Sequence, residues 1–117
     1  MKEIVAKIKA ELALESYSNE KIVELLQELR EFFKAHLNEP GLVRMIRLAY
    51  EDIEANGDYS FIFLEEEDSK GNLEYLVDLL ADYNNKYNRE ELREIRDLME
   101  GIEREEEDEE EEDEDEA

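Results

Sequence analysis

The chain has 117 residues, one domain's worth, and carries 37 Asp and Glu against 14 Lys and Arg for a formal net charge of −23 at pH 7. That balance excludes an ordinary direct nucleic-acid binder, which needs Lys and Arg to displace counterions from phosphates, and it disfavours docking on anionic lipid. With no cysteine and a single histidine, the sequence offers no disulfide framework and no cysteine nucleophile or metal site; no apolar run approaches the ~20 residues of a membrane span.

In chain order, Lys2 to about Leu14 carries Ile4, Val5, Ile8 and Leu12 at helical spacing. Ser16 to Asn19 interrupts that pattern with cap-forming residues, and Glu20 to Leu37 resumes it with a broad apolar face of Ile22, Val23, Leu25, Leu26, Leu29, Phe32 and Phe33. Asn38-Glu39-Pro40 opens the next helix, because proline at a first helical position gives up only an N–H that would be unpaired anyway. Its stripe of Leu42, Val43, Ile46, Ala49, Tyr50 and Ile53 runs to a stop at Asn56-Gly57.

Asp58 to Glu67 is ambiguous. Tyr59, Phe61 and Phe63 alternate like a strand, yet a lone strand finds no partner in this chain, so the expectation is a short helix or an aromatic-anchored loop. An intermolecular strand pairing is the lesser alternative. Asn72 is then expected to cap a helix bearing Leu73, Leu76, Val77, Leu80 and Tyr83, and Asn88 with Glu91 to form a capping box before Leu92, Ile95, Leu98, Met99 and Ile102. The expected fold is all-α, a small single-domain helical bundle of about four to six helices over residues 1–102. Residues 103–117, Glu- and Asp-rich without an apolar side chain beyond the terminal alanine, are expected to form a disordered acidic tail.

The tail does not account for the charge. Thirteen of the 37 acids fall in residues 103–117 with only Arg104 against them, so residues 1–102 keep 24 acids, 13 bases and a net charge of −11. Within that body the carboxylates fall in rows. Glu20, Glu24, Glu28 and Glu31 share one edge of the second helix; Glu74, Asp78 and Asp82 repeat the spacing on the fourth, and Glu90, Glu94 and Asp97 on the last. Neighbours at i and i+4 sit about 5–6 Å apart between Cβ atoms, a repeat of like charge similar in scale to phosphates along a nucleic-acid strand. A charge run is ordinarily just a solvated face; three rows on an acidic body tip the expectation towards function. Arg89, Arg93 and Arg96 interleave with the last row, whereas the second-helix row has only Lys21 close by.

No phosphate loop, zinc-protease motif or nucleophile elbow is present, and His36 near the end of the second helix suits the helix dipole better than catalysis. An enzyme is not expected, nor any cofactor. Calcium is the one ion with a case: Glu54, Asn56, Asp58 and Glu65 fall at positions 1, 3, 5 and 12 of an EF-hand spacing, but with Glu at the first position and Tyr59 where the loop needs glycine.

In size, charge, helicity and acidic carboxyl terminus the chain resembles the phage DNA-mimic anti-restriction proteins. Small acidic binders also occur among anti-CRISPR proteins and nuclease-toxin immunity proteins. The resemblance is one of composition and assigns no residue roles; it implies an inhibitor that occupies a basic nucleic-acid-binding surface. The expected function is therefore a non-enzymatic, cytoplasmic binding protein for a basic protein partner, with no direct contact to nucleic acid or membrane. Its contact residues would be the three rows, supplemented by Glu65, Glu66, Glu67 and Asp68. The alternatives are a degenerate calcium-binding helix-loop-helix and an acidic chaperone or assembly factor whose tail shields basic clients. Phe32, Phe33, Phe61 and Phe63 are candidates for a homodimer contact wherever they exceed what the core needs.

Overall fold

A computed structural model describes the backbone of residues 1–107 and the side chains of residues 1–101. Its described residues form a bundle of α1 (Lys2–Leu12), α2 (Asn19–His36), α3 (Pro40–Asn56), α4 (Ser69–Ala81) and α5 (Lys86–Glu107), with no strand among them. α5 continues through the expected boundary at Ile102 to Glu107; the expected tail from residue 108 onward lies outside the described residues.

The helices close into a ring. α1 packs on α2 and α4, α2 on α3, α3 on α5 and α5 on α4, with the α2–α3 hairpin as the most extensive of these interfaces. The apolar stripes meet at the centre, where Ile8, Leu12, Ile22, Leu26, Leu29, Phe33, Met45, Ile46, Leu76 and Leu80 are fully buried. Each such side chain contributes about 1.5–3 kcal/mol by leaving water. Phe33 turns edge-on to Tyr83, with ring centroids 5.7 Å apart, and so ties α2 to the turn that precedes α5.

The helix ends follow local chemistry. Ser18 Oγ accepts the Lys21 N–H at 3.1 Å to start α2, and the Ser18 N–H donates to Glu11 Oε2 at 2.8 Å, which ties the start of α2 back to α1. Pro40 opens α3, and Gly57 closes it in the left-handed conformation at φ 78°.

Two expected caps are displaced. α4 starts at Ser69, with Asp68 Oδ1 accepting the Gly71 N–H at 2.8 Å, so Asn72 lies inside the helix rather than at its head. α5 starts at Lys86, with Asn85 Oδ1 accepting the N–H groups of Tyr87 and Asn88 at 2.9 and 3.3 Å. Asn85 offers the same capping oxygen three residues before Asn88 and takes the role first. Asn88 instead donates through Nδ2 to the Asp82 carbonyl, and Glu91 accepts from Tyr75.

Residues 58–67 form the aromatic-anchored loop. Tyr59 and Phe61 drop into the core as an edge-on pair with centroids 5.9 Å apart, and Phe63 stacks on Tyr75 of α4. Burial and the nearby Asp52 carboxylate hold the Tyr59 hydroxyl far above its ordinary pKa. Of the four phenylalanines proposed for a dimer contact, Phe33 and Phe61 belong to the core, and Phe32 and Phe63 are only partly exposed. Among the described residues no helix is long and apolar enough to cross a membrane.

Candidate functional site

The three carboxylate rows meet three different fates, decided by which helix packs beside each. On α2, Glu20, Glu24, Glu28 and Glu31 are all exposed along the edge away from the core. Among the described residues, Arg30 is the one cation within 4 Å of the row, its Nη1 3.7 Å from Glu31, and no ion pair engages the other three. Beside this row an open groove runs between α1 and α2, floored by Ile4, Phe32 and Ala35 and bordered by Glu24, Glu28 and Glu31. His36 closes one end of it, its ring against Phe32 with centroids 4.7 Å apart.

On α4 the row is partly spent inside the fold. Asp78 accepts from Lys9 Nζ of α1 at 2.7 Å, and Glu74, half-buried, adds to the field that raises the Lys9 pKa after the Asp78 hydrogen bond and charge. Asp82 is exposed but ends the helix, and its carbonyl is taken by Asn88. Asp78, supported by the Glu74 charge, thus joins α1 to α4, and the row is not left open along its length. On α5, Glu90, Glu94 and Asp97 are exposed, and among the described residues α2 and α5 share no extensive interface. The rows thus sit on three separate helices with different surroundings. The structure leaves one uninterrupted row on α2 and a shorter one on α5.

The loop supplement is also divided. Glu65 and Glu66 are exposed, whereas Asp68 caps α4 and the Glu67 side chain lies over Gly71, where a Cβ would collide with it.

The residues of the calcium alternative do not converge. Glu54 and Asn56 belong to the last turns of α3, and Asn56 Nδ2 donates to Asp52 Oδ1 at 2.6 Å. Asp58 Oδ1 accepts from the Tyr59 N–H at 3.0 Å and faces the Tyr17 hydroxyl at 3.5 Å. Burial, then the Asp58 charge, raises the Tyr17 pKa. Asp52, which the EF-hand spacing skips, accepts from both the N–H and the hydroxyl of Ser60 and pins the loop entrance. Among the described residues no three His, Cys, Asp or Glu side chains gather as metal ligands would.

Sequence reasoning passed over one feature, the arginines of α5. Arg89, Arg93 and Arg96 read as neutralising neighbours of the last acidic row, yet they lie on the flank turned to α3 and line a pocket with its first turn. The signal was present in their i, i+4, i+7 spacing, which places all three on one side of a helix.

The chain matches no family model, and neither the curated proteins nor the solved structures yield a match.

Proposed function

We propose that this protein is a non-enzymatic acidic binding protein that docks the α2 edge onto a basic, nucleic-acid-binding surface of a partner protein in the cytoplasm and blocks that surface as a nucleic-acid mimic. The observation that carries the reading is the row Glu20, Glu24, Glu28 and Glu31, all exposed and, among the described residues, left without neutralising partners apart from the long contact to Arg30. Such a row lowers helix stability by roughly 0.2–0.5 kcal/mol for each like-charged i, i+4 pair, a standing cost that an ordinary solvated face would relieve by interleaving lysine. A surface of Lys and Arg that holds phosphates would find the same charge repeat along α2. The apolar floor of the adjoining groove adds contact area that a purely electrostatic encounter lacks. With a net charge of −23 the whole chain would also speed the approach of a basic partner, an effect that fades beyond the ~8 Å Debye length at physiological salt.

The test is capture of a partner from host lysate on the tagged full chain, followed by elution with duplex DNA. A single basic nucleic-acid-binding protein, eluted by DNA and bound at least tenfold more weakly by the triple variant Glu24→Lys, Glu28→Lys, Glu31→Lys, is the expected result. Unchanged affinity of that variant would overturn the assignment to α2. Equal retention of many basic proteins would reduce the surface to non-specific charge.

A further inference from the structure

In a chain this acidic, three arginines nevertheless line one pocket. Arg89, Arg93 and Arg96 of α5 face Gly41, Leu42 and Met45 of α3 across a cavity of about 180 Å³, roughly ten times the ~15 Å³ that one water needs. Glu39 supplies the only carboxylate in the lining, and it is engaged by Arg89 at 3.3 and 3.5 Å. Among the described residues Arg93 and Arg96 have no acidic partner. The Nε of Arg96 is buried and makes no hydrogen bond. Its Nη1 lies so close to Gly41 that a Cβ there would collide with it.

The backbone adds to the same imbalance. Gly41 stands in the first turn of α3, the positive end of that helix's dipole. Glu39 makes no side-chain cap, Pro40 has no N–H, and the N–H groups of Leu42 and Val43 are taken by the Glu39 carbonyl. The Gly41 N–H thus has no acceptor among the described residues. The unpaired Arg96 guanidinium lies against this positive helix end and the unpaired Arg93 lines the same pocket, an excess of positive charge that an anion between them would answer.

We propose that this pocket binds a small phosphate monoester. The phosphate would sit between the guanidiniums of Arg93 and Arg96 and the Gly41 N–H, with Arg89 at the rim. Guanidinium forks match phosphate oxygens in bidentate geometry. A carboxylate has too few oxygens to answer two forks and a backbone donor at once, whereas a phosphate monoester has three terminal ones. The organic part would rest on Tyr83, Leu92 and Met45, the apolar wall of the same cavity. The α2 row does not line the pocket, so this site stands apart from the partner surface.

Calorimetric titration of the full chain with phenyl phosphate, inorganic phosphate and acetate at constant ionic strength tests the proposal. Saturable binding is expected in the order phenyl phosphate, phosphate, acetate, with at least tenfold loss for Arg93→Gln and for Arg96→Gln. Gly41→Ala, which must displace the Arg96 guanidinium, should weaken binding likewise. The variant Lys34→Gln, at an exposed residue outside the pocket lining, should bind as the wild type does. Arg93 is solvent-exposed, so its variant keeps the test decisive if the Arg96 variant does not fold. No saturable binding of phenyl phosphate, or full affinity in the Arg93 variant, would overturn the proposal, as would acetate binding as tightly as phosphate.

Discussion

Asn72 Oδ1 accepts the backbone N–H of Leu64 at 2.7 Å, joining a helix interior to a loop eight residues earlier in the chain. The same oxygen takes the Phe63 N–H at 2.8 Å, and Nδ2 donates to the carbonyls of Leu64, Glu67 and Asp68. With 3% of its surface exposed, Asn72 is the one buried polar residue in the core of the described chain. It replaces the ladder hydrogen bonds that residues 58–67 would otherwise need a strand partner to make.

Truncating Asn72 to alanine should therefore destabilise the fold by about 2–4 kcal/mol, since several backbone groups lose their partners at once. Asn72→Asp should cost at least as much at pH 7, because an acceptor then faces three carbonyls. Urea denaturation of both variants gives the values. A loss under about 1 kcal/mol for the alanine variant would mean that Tyr59 and Phe61 hold the loop without it.

Tyr75 donates to Glu91 Oε1 at 2.6 Å across the α4–α5 interface, and that hydrogen bond, with burial second, pushes its pKa up to about 12. The folded pKa lies above the unfolded value of 10.0, so the stabilisation is complete below pH 10 and is lost as pH rises through about 12. Tyr75→Phe should be less stable by about 1 kcal/mol at neutral pH. The gap between variant and wild type should close across the pH 10 to 12 window. Denaturation midpoints measured through that window check the sign, and a gap that widens with pH would contradict it.

The exposed row on α2 predicts opposite effects on stability and on binding. Replacing Glu24 and Glu28 by glutamine removes like-charge repulsion along the edge and should raise stability by roughly 0.2–0.5 kcal/mol per relieved pair. The same change should weaken a basic partner. Thermal melts at low and high salt separate the terms: the stability gain should shrink as salt screens the row. A row that merely solvates the protein would show the gain without the binding loss.

Gly57 offers a cleaner backbone test. Its φ of 78° lies in the left-handed region, and nothing stands within 4 Å of the position a Cβ would occupy. Gly57→Ala therefore introduces strain without a clash and should cost about 1–2 kcal/mol. Because the Gly57 carbonyl accepts from Asn19 Nδ2 at 2.5 Å, that cost should also loosen the start of α2. Hydrogen exchange at residues 19–22 would register it; unchanged exchange there would uncouple the two ends.

The sequence by itself determined the all-helical class and the approximate span of α1, α2 and α3. Apolar spacing, Pro40, Gly57 and the serine before α2 all act within a few residues of where they stand. It also located every acidic row, since helical periodicity fixes which side chains share an edge. Two caps slipped because several Asn and Asp side chains in succession carry the same capping chemistry. Asp68 and Asn85 reach the free N–H groups first, and no local rule ranks such rivals.

Only the tertiary structure decided which rows stay open. The Asp78 row meets Lys9 because α4 packs on α1, while the α2 row is left facing outward with its carboxylates exposed. The same packing turned Arg89, Arg93 and Arg96 from neutralising neighbours into the wall of a pocket against the first turn of α3. Helical spacing places charges on a face, but the burial and pairing of that face depend on contacts between residues far apart in the chain.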